Sequence, residues 1–245
     1  MIPYRDDNSL FRTPIVTGAL IAANVLCWIL VQAMGQEPAL AKSVCELGLI
    51  PAELLRQAPG GTMFEMGNGA SCVLGRGPVW YTPLTSMFLH GGWGHLIGNM
   101  WFLWLFGNNV EDSMGRLGFF TFYILSGLGA AALQVLLQPG SVLPMIGASG
   151  AISGILGAYI MLYPRVRVHL FFLLIIFPVT FTVPAFFMIG YWFLLQLLGG
   201  VLSSDQAGGV AFWAHVGGFL AGIVLLPLFR DPALVASHRR MAAWT

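Results

Sequence analysis

The sequence predicts an all-α membrane protein, a bundle of six transmembrane helices with a long outer loop between the first two. Three observations predict it. Of 245 residues, 57% are hydrophobic and only 9% are Asp, Glu, Lys or Arg, where soluble globular chains carry about 25% charged residues. Five long stretches contain no such charge, and they hold six helix-sized segments. Most of the eleven Lys and Arg residues fall on one side of the resulting bundle. A formal net charge of +1 also excludes the basic face of a nucleic-acid binder and the acidic bias of a solvating tail.

A membrane helix needs about 20 mostly apolar residues, at about 1.5 Å each, to cross about 30 Å of hydrocarbon. The first charge-free stretch, Thr13 to Gln36, holds such a segment over 15–34, and the second, Gly77 to Val110, holds one over 93–110. Leu117 to Pro164 is long enough for two, 117–137 and 149–163, divided by the turn-forming Gln138-Pro139-Gly140-Ser141. Val168 to Ser204 supplies 184–201, and Gln206 to Phe229 supplies 211–229. The run His169 to Pro178 is too short to span and is interrupted by Pro178 and Pro184. It is therefore read as a re-entrant or interfacial loop, with a seventh crossing as the alternative. There is no internal repeat and no soluble unit, so 1–245 is one membrane domain with its core over 15–229; segments 1–11 and 232–245 are too short to fold alone.

Cytoplasmic loops of membrane proteins are enriched in Lys and Arg. With both ends inside, Arg5, Arg12, Arg116, Arg165, Arg167, Arg230, Arg239 and Arg240 lie on the inner side and Lys42, Arg56 and Arg76 on the outer. Both termini are thus expected in the cytoplasm. Ala39-Leu40-Ala41 fits a signal-cleavage pattern, yet the first apolar segment is longer than a signal core of about 7–15 residues, and Glu37 and Pro38 intervene. The outer loop carries Cys45 and Cys72, which can form one disulfide in an oxidising compartment or remain two free thiols. Cys27 lies within the first span, a packing position.

Ionisable groups inside spans are candidates for function. Here they are His90 and His95 at the head of the second span and His215 in the sixth; no carboxylate falls within the six predicted spans. That argues against an aspartyl intramembrane protease, against a zinc protease of the H-E-x-x-H kind, and against a carboxylate proton relay. Helices two, four and six all run from outside to inside, so their first turns share one depth. His95 opens the second, Gly147-Ala148-Ser149-Gly150 opens the fourth, and His215 opens the sixth. A neutral imidazole can take the proton of a serine hydroxyl and return it to a leaving group, roles that His215 and Ser149 can fill. The oxyanion formed would sit at a helix N-terminus, where backbone N–H groups favour negative charge, and His95 and Asn99, at i and i+4, share a face from which to donate to it. Each piece also has a structural reading: Ser149 as a small packing residue, His215 as an interhelical bond, His90 as a structural hydrogen bond near the water boundary. Gly147, Gly150, Gly154 and Gly157 suit close helix approach, and Gly218 and Gly222, spaced G-x-x-x-G after His215, put its face against another helix.

Gly147-Ala148-Ser149-Gly150, Ala214-His215-Val216-Gly217-Gly218 with Gly222, and His90-Gly91-Gly92-Trp93-Gly94-His95-Leu96-Ile97-Gly98-Asn99 resemble the three motifs of rhomboid intramembrane serine proteases, in the same order and on corresponding helices. Thr85-Ser86-Met87-Phe88-Leu89, and Tyr191-Trp192-Phe193 with Gln196, are also similar to the family. The resemblance covers about 15–229. It implies Ser149 as nucleophile, His215 as general base and acid, and His95, Asn99 and the Ser149 backbone N–H as the oxyanion hole, with His90, Gly147, Gly150, Gly218 and Gly222 in support. It implies cleavage of single-pass or multi-pass membrane proteins in or near a transmembrane helix, usually after a small residue, with no metal and no other cofactor. Lateral substrate entry near the second and fifth helices would make Trp192 and Phe193 gate residues, plain packing being the other reading. Two positions depart from the family: Ser153 stands where many relatives have an aromatic that packs on the histidine, and Tyr81-Thr82 where a Trp-Arg pair often anchors the outer loop.

The rival functions are a non-catalytic rhomboid-like protein that binds membrane helices and a small-solute channel or carrier. The first would have no need of Ser149, His215, His95 and Asn99 together; the second calls for inverted repeats or broken helices. A compact six-span core points to a bacterial cytoplasmic membrane, with a eukaryotic organelle as the alternative.

Overall fold

The computed structural model describes residues 2–65, 71–75, 77, 79–174, 177–202 and 211–242, with side chains up to 237. The sidedness argument from Arg76, Arg239 and Arg240 therefore falls outside the described side chains.

The chain begins with strand β1 (Ile2–Asp6) and helix α1 (Ile15–Leu30), followed by the outer-loop helix α2 (Ala39–Leu47) and a small hairpin of β2 (Met63–Glu65) and β3 (Ser71–Val73). Helix α3 covers 93–114, with a π-helical turn at Leu103–Gly107 between α-helical Trp93–Phe102 and Asn108–Met114. Then come α4 (Arg116–Leu137), α5 (Ser149–Leu162), β4 (Arg167–Leu174), β5 (Phe177–Pro184), α6 (Ala185–Leu202), α7 (Phe212–Phe229) and α8 (Pro232–Ala242). The six predicted segments are helical. Three of these helices, α4, α6 and α7, are long and apolar enough to cross a membrane, whereas α1 and α5 are apolar but shorter.

Several details differ from expectation. The first helix stops at Leu30 instead of 34, because the buried Gln32 turns to the loop before α3, accepting from the His90 N–H at 2.8 Å and donating to the His90 carbonyl at 2.7 Å. The second runs four residues beyond 110 and carries Glu111 and Asp112, both buried, so carboxylates do lie within that helix. Glu111 accepts from the N–H groups of Val16 and Thr17 and from the Thr17 hydroxyl. It thereby satisfies the donors that the first turn of α1 leaves open. Such caps contribute about 1 kcal/mol each.

The segment expected as a re-entrant or interfacial loop, His169 to Pro178, lies in two paired antiparallel strands. Strand β4 pairs antiparallel with β5 from Arg167↔Pro184 to Leu174↔Phe177, and β1 pairs with the other side of β4, giving the order β1-β4-β5. Val, Phe and Thr enrichment favours strands, and Pro178 is accommodated because β5 is an edge strand. The pairing brings residues 2–6 to the same end of the bundle as the α5–α6 connection, so this strand is held by its neighbour, not by itself. Asp6 fastens it: its carboxylate accepts from Tyr159 of α5 at 2.5 Å and from Asn109 of α3 at 3.1 Å. Burial pushes the Asp6 carboxyl up to about 6 from 3.8. A carboxyl with a raised folded-state pKa favours the docked strand most below 3.8, and that contribution is lost as pH rises through about 6. Amide exchange in Ile2–Asp6, corrected for its intrinsic rate, is expected to be faster at about pH 8 than at about pH 5; equal protection at both would show that Asp6 does not titrate there.

At the opposite end, Cys45 and Cys72 are joined as a disulfide across 27 residues, which decides between the two readings of those cysteines. A loop of that size contributes about 3–4 kcal/mol in the chain-entropy view. The outer loop is further held by the Thr85 hydroxyl on the Leu47 carbonyl at 2.7 Å and by paired backbone bonds between Leu49 and Met145. These take the place of the missing Trp-Arg anchor, while Tyr81 makes only a 3.4 Å contact to the Glu46 carbonyl.

Candidate active site

Ser149 is the first residue of α5 and His215 lies in the first turn of α7. The two helices meet through facing glycines. A methyl group added at Gly218 would sit 1.9 Å from the Gly150 carbonyl oxygen, and one at Gly222 would sit 2.1 Å from that of Gly154. Only hydrogen fits between backbones that close, and this is the physical content of the small-residue spacing read from sequence. The contact sets the distance between the side chains just above it: Ser149 Oγ lies 2.8 Å from His215 Nε2. The start of α7 is fixed from a third helix, where Gln134 of α4 accepts from the Ala214 N–H at 3.1 Å.

On its other edge His215 meets α6. Nδ1 lies 2.8 Å from the Gln196 side-chain oxygen, and the Trp192 ring packs beside the imidazole with centroids 5.9 Å apart. Ser153 does not touch it, because its hydroxyl bonds back to the Ser149 carbonyl at 2.6 Å. Trp192 thus supplies from α6 the aromatic surface that α5 lacks. Phe193 stacks on Phe219 of α7, centroids 4.2 Å apart, so both candidate gate residues face α7 at least in part.

Opposite the serine stands His95. Its Nδ1 accepts from the Gly91 N–H at 3.2 Å, which leaves Nε2 as the protonated, donating nitrogen of the neutral ring. Nε2 points at Gly147: a methyl group there would lie 2.7 Å from it. Gly147 also has φ +122°, where a side chain would be strained. One residue type therefore answers both demands, the turn into α5 and the approach of His95.

These groups surround a cavity of about 530 Å³, with Met87, Met145 and Ile146 as apolar walls. His95, Gly147, Ser149, Gly150 and His215 all line it. Asn99 does not line it. One turn along α3, Asn99 is buried, and its side-chain N–H₂ has no acceptor. His90 lies close by, its ring fully enclosed and its hydrogen bonds to Gln32 made by its backbone. The rings of His90 and His95 lie edge to face at 5.1 Å. Gln134 and the contact of Gln196 with His215 were missed; the available signal was a polar amide inside an otherwise apolar helix. Among the described residues no group of three or more His, Cys, Asp or Glu is close enough to hold a metal ion.

Apolar helices of membrane-crossing length, joined at small-residue contacts that hold a serine hydroxyl against an imidazole, define a polytopic membrane protein with a Ser-His pair in a cavity wall. Comparison with known families makes the class particular: a family model described as the Rhomboid domain matches residues 78–232, more than half the chain, and the protein belongs to the rhomboid family. It is 38% identical over 78 residues to Rhomboid-like protein 11, chloroplastic, of Arabidopsis thaliana, covering 32% of this chain and 28% of that protein. Rhomboid protein 1, mitochondrial, of Saccharomyces cerevisiae is 31% identical over 149 residues, 57% of this chain and 39% of that one. The Presenilin-associated rhomboid-like protein, mitochondrial, of Bos taurus is 29% identical over 148 residues, 57% and 36%. The chain therefore matches well under half the length of these relatives.

Proposed function

We propose that this protein is an intramembrane serine protease that cleaves membrane proteins in or beside a transmembrane helix. The observation that carries the reading is the 2.8 Å bond from Ser149 Oγ to His215 Nε2 at the wall of a cavity. In the first step His215 Nε2 takes the hydroxyl proton while Oγ bonds to the scissile carbonyl carbon. The negative oxygen that forms is stabilised by the Ser149 N–H at the start of α5 and by the His95 Nε2–H. His215 then gives its proton to the leaving nitrogen as the C–N bond breaks. Water, deprotonated by His215, attacks the ester carbonyl; collapse frees the new carboxyl end and returns a proton to Ser149.

Depth supports the reading. Helix α5 has 14 residues, or about 21 Å against about 30 Å of hydrocarbon. With its Leu162 end at the inner interface, Ser149 lies about 9 Å below the outer one, within reach of water through the cavity and of a substrate helix beside it. A substrate approaching along α6 would meet Trp192 and Phe193. We place the sheet end of the bundle in the cytoplasm and the disulfide end outside, as the distribution of arginines and cysteines favours. The expected bacterial cytoplasmic membrane finds no support among the relatives named above, which are chloroplast and mitochondrial proteins.

The test is to mix purified protein in liposomes with single-span substrates and locate any cut by mass spectrometry. The expected result is a cut in or next to the span, prevented by a serine-directed organophosphorus reagent that is recovered on Ser149. No cut on several substrates by folded protein would instead favour a helix-binding rhomboid-like role. The oxyanion role that the family resemblance implies for Asn99 requires its buried N–H₂, which lacks an acceptor one turn from His95, to turn toward the cavity it does not line. Asn99→Ala is expected to lower kcat by about 10- to 1000-fold with little change in KM; an unchanged kcat would remove it from the mechanism and leave His95 and the backbone.

A further inference from the structure

A neutral imidazole carries one proton on one of two nitrogens, and only one arrangement lets His215 act as a base toward Ser149. The lone pair must be on Nε2, which faces the hydroxyl, and the proton must be on Nδ1. Which tautomer is present is decided by the partner of the far nitrogen. We propose that Gln196 is a positioning residue that selects this tautomer, making a Ser149–His215–Gln196 chain in place of a pair. The inference rests on the protease reading of Ser149 and His215 and deepens it.

The orientation of the Gln196 amide follows from its two neighbours. The Trp192 carbonyl, 3.3 Å from the Gln196 side-chain nitrogen, can only accept, so the N–H₂ group must face it. The Gln196 oxygen is left facing His215 Nδ1 at 2.8 Å. That oxygen cannot donate, and the bond forms only if Nδ1 bears the proton. Nε2 then accepts from Ser149 at 2.8 Å. Gln196 is only 9% exposed, so water competes little for the place. Trp192, its ring tilted 39° to the imidazole with centroids 5.9 Å apart, restricts the movement of His215. One turn of α6 thus supplies both the acceptor and the packing surface, and this answers what orients His215 when Ser153 does not.

The chemistry also accounts for an amide at this position. A carboxylate would orient the ring equally well and stabilise the imidazolium, but it would place an ion in a site shielded from water, where desolvation costs several kcal/mol. An amide orients the ring without a charge. The consequence is a less basic imidazole than a carboxylate in place of Gln196 would give.

The test uses the full protein in micelles with two variants. Gln196→Met keeps shape and removes the acceptor; Gln196→Glu keeps an acceptor and adds charge. The nitrogen-15 side-chain spectrum, with the His215 signals assigned by their loss in His215→Asn, is expected to show a protonated Nδ1 and an unprotonated Nε2 in the wild type. The same pattern is expected in Gln196→Glu, and its loss in Gln196→Met. In the cleavage assay Gln196→Met should lower kcat by about 10- to 1000-fold at unchanged KM, whereas Gln196→Glu should retain kcat at high pH with the acid limb of its profile moved to higher pH. A Gln196→Met protein that keeps the Nδ1–H tautomer, or wild-type kcat, overturns the proposal. So does a parallel loss of Tm and activity in both variants with the tautomer unchanged, the mark of a merely structural amide. The spectrum needs no substrate, so failure of the wild type to cleave would count against the protease reading while the tautomer still decides the role of Gln196.

Discussion

Replacing Ser149 by Ala is expected to reduce cleavage of a membrane substrate below detection, and replacing His215 by Ala to do the same, while the protein stays folded. Among the described residues that line the cavity, Ser149 is the one whose hydroxyl lies 2.8 Å from an imidazole nitrogen. Without it, His215 has nothing to activate at that position. Without His215, the hydroxyl keeps its proton near neutral pH and is a poor nucleophile. Residues acting as one unit are strongly non-additive, so Ser149→Ala/His215→Ala should be no slower than either single variant. Initial rates over matched amounts of folded protein measure this. A His215→Ala protein retaining a tenth of the wild-type rate would mean that another group takes the proton. Stability should change little in Ser149→Ala, since the lost oxygen makes a single side-chain bond to His215.

The second large effect is expected from the helix contact beneath the dyad. In Gly218→Ala the new methyl would fall 1.9 Å from the Gly150 carbonyl oxygen and 2.9 Å from its carbon, and in Gly222→Ala 2.1 Å from the Gly154 oxygen. The obstacles are backbone atoms of a helix and cannot rotate away, so α5 and α7 must part. Overpacking of this kind costs about 1–3 kcal/mol. For activity the geometric consequence is more severe. Gly150 follows Ser149 directly and Gly218 is three residues past His215, so any separation opens the 2.8 Å bond. A misplacement of about 1 Å can cost about 100-fold in rate. Gly218→Ala is therefore expected to lower kcat by about 100-fold or more and to lower Tm, with Gly222→Ala, farther from the dyad, lowering Tm with a smaller loss of rate. Wild-type kcat in Gly218→Ala would show that the two helices do not set the dyad distance.

The two ends of the molecule are built by different means. At one end the disulfide and the Leu49–Met145 bonds hold the outer loop against the turn that leads to Ser149. At the other, Asp6, Tyr159 and Asn109 join the first strand to α5 and α3, and Glu111 caps α1. The site lies between these ends, at the heads of helices whose far ends are tied down.

How much of this was legible in the sequence depends on the range of the interaction concerned. Helix positions followed from charge-free stretches, because in an apolar solvent the backbone must satisfy itself within each segment. Ser149, His215 and His95 could be found because each occupies the head of such a segment, and heads of helices running the same way share a depth. The Gly218 and Gly222 spacing announced a close contact without naming its partner. What the sequence left open required two distant pieces of chain to meet. Residues 2–6 pair with 168–171, and no local pattern encodes a partner more than 160 residues away. The extra turn carrying Glu111 and Asp112 looked like a helix end, because its compensating donors lie in α1. Helix α6 is apolar apart from Gln196, and that amide marked a face without naming what it meets. Only its packing against α7 rotates Gln196 and Trp192 onto His215. The sequence by itself determined the helices, their order and the candidate pair Ser149 and His215; the tertiary structure alone decided what surrounds that pair, because helix formation is satisfied within a segment while helix rotation and strand pairing are satisfied only between segments.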